Sequence, residues 1–274
     1  MIIDVHTHIF NDKIASKAVS KLEACSGLRA CNIANKDGLI DEMGSLISKS
    51  VILPVATNVN QVSSINDYWM SVKEEKFIIF GSMHPDYENY KEELKRLKEN
   101  GVKGIKIHPE YQGVYIDDLR YVNIIDEAFS LGMMVITHAG VDIGIDEAVK
   151  SDCIHIINLM TKLKNKGILI LAHMGGWKMW ENIYELAKYD SIYFDTSFSL
   201  GEYVQNNEVK PLISLDDFNR MIKEIGSERF LFGSDFPWMK PEKIYNFIEK
   251  SNLTDIEKEN IYHLNFKRLL KKGI

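Results

Sequence analysis

Six of the eight histidines close short apolar runs: His6, His8, His84, His108, His138 and His173. His6-Thr7-His8 ends the run from Ile2, and on an extended strand side chains two apart project to one face, so both imidazoles point the same way. An isolated His-x-His is a weak signal. Here it has company, because His138, His173 and Asp235 each end a further apolar run. Gathering four imidazoles and a carboxylate at one rim costs desolvation energy unless something pairs with them, and a divalent cation is the usual compensation. Imidazole with one carboxylate suits Zn²⁺, with Mn²⁺, Fe²⁺ or Co²⁺ as alternatives. Gly140, Gly175, Gly176 and Gly233 follow or flank these positions and let backbone pass close to a ligand or metal. His155 and His263 fall on helical stretches and read as structural or surface groups.

The elements that must position these groups are legible as an alternation of apolar, β-branched runs with amphipathic Lys/Glu-rich stretches. Eight runs read as strands: Ile2 to His8, Val51 to Val55, Phe77 to Met83, Val102 to His108, Met133 to His138, Ile168 to His173, Ser191 to Asp195 and Phe230 to Ser234. Most are nearly continuous in apolar residues, as strands covered on both faces should be. Gly101, Gly132, Gly167 and Gly226 are expected to end helices just before a strand. Asp86, Asp117 and Ser214 are expected to start them. No Gly-rich dinucleotide fingerprint follows the first strand, so the expected fold is α/β, a (β/α)8 TIM barrel forming a single domain over residues 1–274. Helices from Asp12 to Glu23 and from Thr254 to Lys271 are expected as peripheral additions.

Composition bounds the function classes. With 45% hydrophobic and 26% charged residues, the 274-residue chain matches ordinary globular proteins. No stretch approaches the roughly 18 consecutive apolar residues of a membrane span, and the start does not resemble a signal peptide. A net charge of −6 and no basic groove argue against nucleic acid. Cys25, Cys31 and Cys153 form no Cys-x-x-Cys pair; they are expected to be small buried hydrophobes in a reducing, cytoplasmic setting. The expected partner is a small-molecule substrate, and homo-oligomerisation is compatible with everything above.

The motifs Ile3-Asp4-Val5-His6-Thr7-His8, Gly104-Ile105-Lys106-Ile107-His108-Pro109, Thr137-His138-Ala139-Gly140, Ala172-His173-Met174-Gly175-Gly176 and Gly233-Ser234-Asp235-Phe236-Pro237-Trp238 carry a resemblance. The chain resembles the amidohydrolase superfamily, and within it the amidohydrolase-2 branch of small metal-dependent hydrolases and decarboxylases related to aminocarboxymuconate-semialdehyde decarboxylase. The resemblance implies His6, His8, His138 and Asp235 as metal ligands and His173 as the acid/base or electrophilic histidine beside them. In binuclear members a strand-four lysine is carboxylated and bridges two metals. Lys106 holds a comparable place, but one metal is the preferred reading, with Lys106 an ammonium near the site or paired with an acid such as Asp195. Loops after the strands usually bind substrate, which points to His108, Glu110, Trp177 and Trp238.

A metal-activated water would then attack an amide, ester or lactone carbonyl, with Asp235 taking the proton and His173 stabilising the oxyanion. Non-oxidative decarboxylation of a small unsaturated or aromatic acid is the alternative. A decarboxylase should hold its substrate carboxylate with a cation, often an arginine, and none of Arg29, Arg96, Arg120, Arg220, Arg229 and Arg268 lies at a strand end. A TatD-type nuclease also starts with His-x-His but resembles a different strand-four pattern. No Gly-x-Ser-x-Gly elbow marks a serine hydrolase, and a non-catalytic barrel would have little reason to keep every metal position.

Overall fold

The structure is a computed structural model and describes residues 1–272. Its strands are β1 (Ile3–Thr7), β2 (Lys49–Ile52), β3 (Phe77–Ile79), β4 (Gly81–Ser82), β5 (Gly104–Ile107), β6 (Met134–Thr137), β7 (Leu169–Leu171), β8 (Ile192–Asp195), β9 (Glu202–Gln205), β10 (Glu208–Pro211) and β11 (Phe230–Leu231). β3 and β4 are two parts of one barrel strand interrupted at Phe80: β3 pairs with β2 and β4 with β5, all parallel. The ladder continues through β6, β7 and β8 to β11. It closes where the Val5 amide donates to the Phe232 carbonyl at 2.8 Å and Thr7 bridges Phe236 in parallel. The chain therefore folds as the expected α/β TIM barrel, with all eight expected strands in place. β9 and β10 form an antiparallel hairpin outside the barrel.

Two apolar layers hold it together. Ile3, Val5, Val51, Leu53, Phe80, Met134, Ile136, Ile170, Tyr193 and Leu231 fill the barrel interior, while Ile105, Val135, Leu169, Leu171 and Phe194 pack outward against the helices. This two-sided burial explains the uninterrupted apolar strands. The inner layer also includes Phe266 and Leu269 of helix Asn265–Lys272, and Asn265 Nδ2 donates to the Ser227 and Phe230 carbonyls at 2.8 Å. This corrects the expectation of a peripheral C-terminal helix, because it plugs the end of the barrel opposite the histidines.

Some local expectations need correction. Asp86 caps no helix; the chain makes a further turn, the helix spans Tyr90–Glu99, and Asp86 instead pairs with Arg120 at 2.5 Å. Asp118 rather than Asp117 caps helix Leu119–Ser130. Gly167 is not a helix end, since the preceding helix stops at Lys162; a Cβ there would lie 2.1 Å from Phe129 Cγ, so close packing explains the glycine. Cys25 is exposed, Cys31 and Cys153 are half-buried, and all three are free, so they are not core residues.

Gly140 has φ +82°, and a Cβ on it would lie 2.4 Å from the Trp177 nitrogen and 2.5 Å from the Gly176 carbonyl carbon. These are backbone atoms with little room to yield. Gly140→Ala is expected to cost about 1–3 kcal/mol of stability through overpacking. Thermal unfolding should register a loss of about 2–4 °C in Tm per kcal/mol at this chain length. An unchanged Tm would show that the two loops are free to separate.

Candidate metal centre

The register between β1 and β2 slips by one residue between Asp4 and Thr7. Such a bulge re-aims side chains. Ile3 and Val5 belong to the inner apolar layer, and beyond the bulge His6 and His8 face the same opening. Asp4, fully buried, anchors this stretch: Oδ1 accepts from the His6 and Ser234 amides at 3.1 and 3.0 Å, and Oδ2 accepts from the Ser234 hydroxyl at 2.5 Å. Burial pushes its pKa up to about 7. The Asp235 amide donates to the His6 carbonyl at 2.9 Å, and Asp235 itself sits at φ +68°. The β1 end and the loop after β11 are thus fastened together, which sets Asp235 beside the histidine pair.

Each histidine tautomer is fixed by its other ring nitrogen. His6 Nδ1 lies 2.7 Å from Asp195 Oδ2 and His8 Nδ1 lies 2.7 Å from the Leu53 carbonyl, so each Nδ1 carries the proton and donates it. Neither Nε2 carries a proton of its own, yet they stand 3.0 Å apart, with Asp235 Oδ1 at 3.6 and 3.5 Å and the Lys106 amino group 3.2 Å from His6 Nε2. No hydrogen is available between the two nitrogens. Three converging acceptors, with His6 oriented by a carboxylate and His8 by a backbone carbonyl, fit a divalent cation; of the four expected ligands, His138 is not in this group. Burial holds His8 down at about 3 and His6 well below its ordinary value, so both stay neutral and able to ligate.

The surrounding groups are as follows. Lys106 is buried, with Nζ 3.2 Å from His6 Nε2; it does not pair with Asp195, whose oxygens are taken by His6, the His173 amide and Ser197. Burial lowers the Lys106 pKa and raises that of Asp235. His173 Nδ1 lies 3.0 Å from the Ser197 carbonyl, leaving Nε2 facing His138 Nδ1 at 3.1 Å. His138 therefore stands next to His173 and outside the His6, His8, Asp235 group. Its ring stacks on His108 at 4.4 Å, and His108 stacks on Tyr111 at 4.0 Å. Glu110 sits beside these rings with Asp142.

Trp177 is buried and donates from Nε1 to the Phe198 carbonyl at 3.1 Å, whereas Trp238 lines a cavity of about 610 Å³ together with Phe198 and Tyr203. His84 holds the Asp86 amide from Nδ1 at 3.2 Å, and His155 pairs with Asp152 at 2.8 Å. Sequence reasoning missed the site roles of Ser197 and Asp142. An Asp-x-Ser at the end of β8 could have flagged Ser197; Asp142 lies in a long aperiodic loop with no such signal.

Fold and site together define a barrel with a metal-fitting centre at the C-terminal ends of its strands. The sequence pattern of the amidohydrolase family matches residues 3–272, and the chain belongs to that family. A comparison with curated proteins returns no match. Among solved structures, an uncharacterised TIM-barrel protein from Bordetella bronchiseptica superposes with a TM-score of 0.74 at 16% identity, covering 99% of both chains. The 2,6-dihydroxybenzoate decarboxylase from Rhizobium gives 0.70 at 16% identity over 98% of both chains. A dihydroxybenzoic acid decarboxylase from Polaromonas sp. JS666, with bound manganese and the inhibitor 2-nitroresorcinol, gives 0.67 at 15% identity over 100% of this chain and 97% of that one.

The Asp195–His6 hydrogen bond carries a prediction. Asp195→Asn can place an N–H against the His6 Nδ1–H, which favours the wrong tautomer. Affinity for Zn²⁺ or Mn²⁺, measured by competition with a chromogenic chelator, is expected to fall about 10–100-fold. Unchanged affinity in a folded variant would mean that His6 orientation does not depend on Asp195.

Proposed function

We propose that the protein is a metal-dependent hydrolase that cleaves an amide, ester or lactone bond of a small molecule, working in the cytoplasm. The observation that carries this reading is the convergence of two unprotonated imidazole nitrogens on Asp235 Oδ1. His6, His8 and Asp235 would hold one divalent ion, Zn²⁺ in the first instance and Mn²⁺, Fe²⁺ or Co²⁺ as alternatives, and three protein ligands leave a position for water. The Polaromonas decarboxylase of similar fold, which binds manganese, supports that class of metal.

When bound, the metal supplies Lewis acidity that brings ionisation of a water within reach of neutral pH. Asp235, buried and short of hydrogen-bond donors, takes the proton and returns it to the leaving group. His173 keeps its Nδ1–H committed to the Ser197 carbonyl and faces His138 Nδ1 with Nε2; burial pushes its pKa down to about 4, so it stays neutral and positions the polar wall of the site. Lys106, as an ammonium, orients the polar end of the substrate.

The charge around the opening favours hydrolysis over decarboxylation. Glu110, Asp142, Asp146 and Glu147 line or flank it, and a cavity of about 510 Å³ opens among them. Five of the six arginines are engaged elsewhere by ion pairs or backbone carbonyls, and Arg29 lies at the surface beside Glu23. An acidic mouth without an arginine suits a neutral or cationic substrate better than a benzoate. The second reading, decarboxylation, draws support from the two decarboxylases of similar fold and from Lys106 as a cation able to hold a carboxylate.

Protein purified without chelator is expected to carry about one transition metal per chain by elemental analysis, and a metal-free sample with full activity would sink the proposal. Asp235→Asn should lose at least about a hundredfold in kcat, the lower end for removal of general acid/base work, in a sample checked for retained metal. Reaction in ¹⁸O-labelled water separates the two chemistries. Label in the product carboxylate is expected; stoichiometric CO₂ release without such incorporation would move the assignment to decarboxylation.

A further inference from the structure

The metal-fitting centre is almost sealed. His6 and Asp235 are buried and 18% of the His8 side chain is exposed, which leaves a substrate little room to arrive unless part of the barrel mouth moves. Helix Asp12–Ser26, expected from the sequence as a peripheral addition, stands at that mouth. Its last turn meets loops from several strands. A Cβ placed on Gly144, in the loop after β6, would lie 3.9 Å from Cys25 Cβ. Burial first, and then nearby groups that include Cys25, raise the pKa of Tyr111, which follows β5. Glu23, Ala24 and Gly27 wall the cavity of about 610 Å³ together with Trp238, which follows β11. β5 and β11 are the fourth and eighth of the eight barrel strands and lie across the barrel from each other, so the end of the helix spans the mouth.

The helix is weakly held. Among the described residues, Val19 is the one side chain of this helix that joins an apolar cluster, whereas helix Leu119–Ser130 contributes Tyr121, Val122, Ile124, Ile125, Ala128 and Phe129. An element with few buried apolar contacts opens at low free energy. The chain on either side is fastened. The Phe10 amide donates to the Ala34 carbonyl and the Cys31 amide to the Pro237 carbonyl, both at 2.8 Å, and Leu28 is buried. Between helix and fastened chain stands Gly27, at φ +70°, a residue free to absorb a large dihedral change. The end of the helix is clipped by the tip of the β9–β10 hairpin, where the Asn206 amide donates to the Gly27 carbonyl at 2.9 Å and Gln205 Nε2 to the Ser26 carbonyl at 2.8 Å.

We propose that helix Asp12–Ser26 is a lid that opens about Gly27 and admits the substrate to the metal-fitting centre. Opening parts Cys25 from Gly144 and breaks the hydrogen bonds from the hairpin tip. Closure shuts the site off from bulk water, where its charges act most strongly on a bound substrate. The lid serves hydrolysis and decarboxylation alike, so it stands or falls apart from the choice between them.

Gly144→Cys provides a lock, because a Cβ separation of 3.9 Å suits a disulfide. Oxidation of the full-length variant is expected to join Cys25 to the introduced thiol, and reduction to release it. Diethyl pyrocarbonate, which acylates unprotonated imidazole, then probes the chain freed of metal, with the labelled sites read by peptide mass spectrometry. His8 is expected to react at least about tenfold more slowly in the oxidised form than in the reduced form, the effect of suppressing a local opening. His155, part-exposed on another helix, is expected to react equally in both. Amide exchange of the chain as purified is expected to be faster in helix Asp12–Ser26 than in helix Leu119–Ser130. Equal labelling of His8 in the two forms, equal exchange in the two helices, or a folded variant whose thiols do not join overturns the lid. If Gly144→Cys fails to fold, Gln205→Ala carries the test. Loss of its hydrogen bond to Ser26 is expected to speed His8 labelling about three- to tenfold, and an unchanged rate overturns the lid. Neither readout uses metal or turnover, so the result is independent of the proposed reaction.

Discussion

The arrangement hinges on two short hydrogen bonds made on the far side of the metal-fitting centre, His6 Nδ1 to Asp195 and His8 Nδ1 to the Leu53 carbonyl, each 2.7 Å. They decide which nitrogen of each ring is bare. Without them, either imidazole could turn a proton inward and the 3.0 Å approach of the two Nε2 atoms would be an ordinary hydrogen bond. With them, it is a site that requires an electrophile. Asp195 extends this control to His173 by accepting its amide at 3.0 Å and to Ser197, which touches both histidines. One carboxylate at the end of β8 therefore orients residues that arrive from β1 and from the β7 loop.

How much of this the sequence shows depends on periodicity. The eight strands were legible because two-sided burial demands apolar residues at nearly every position, which is a strong local signal. His6, His8 and Asp235 were legible because they end such runs. The bulge in β1 was not: nothing in Ile3-Asp4-Val5-His6 marks the register slip, although strict alternation from Val5 would have sent His6 to the wrong face. The place of His138 was also hidden, because it follows from the Nδ1 contact with His173 rather than from its position just after β6. The C-terminal helix illustrates the same limit, since its amphipathic pattern does not reveal that Phe266 and Leu269 close the barrel.

The burial of so many carboxylates is otherwise hard to reconcile with stability. Burial pushes Glu110 up to about 7 and Asp142 up to about 6, so these groups resist ionisation. A core chosen for stability alone would pair or remove them. Their backbone anchors hold one oxygen of each in place and leave the other facing the His138 and His108 rings, which is how a protein keeps a costly acceptor pointed in a fixed direction.

The same logic governs the backbone. His173, Met174 and Asp235 adopt φ of 60°, 57° and 68°, a region that side chains with a Cβ rarely occupy. Such strain persists only where surrounding contacts over-determine it. For Asp235 these are the His6 carbonyl and the Asp4 clamp on Ser234; for His173 they are Asp195, Ser197 and the Trp180 indole, which donates to its carbonyl at 3.1 Å. Every one of these contacts reaches to another strand or to a neighbouring loop. The two strained residues at the metal-fitting centre are therefore held by the closed barrel as a whole, and a loop detached from it would relax to ordinary φ and lose the geometry.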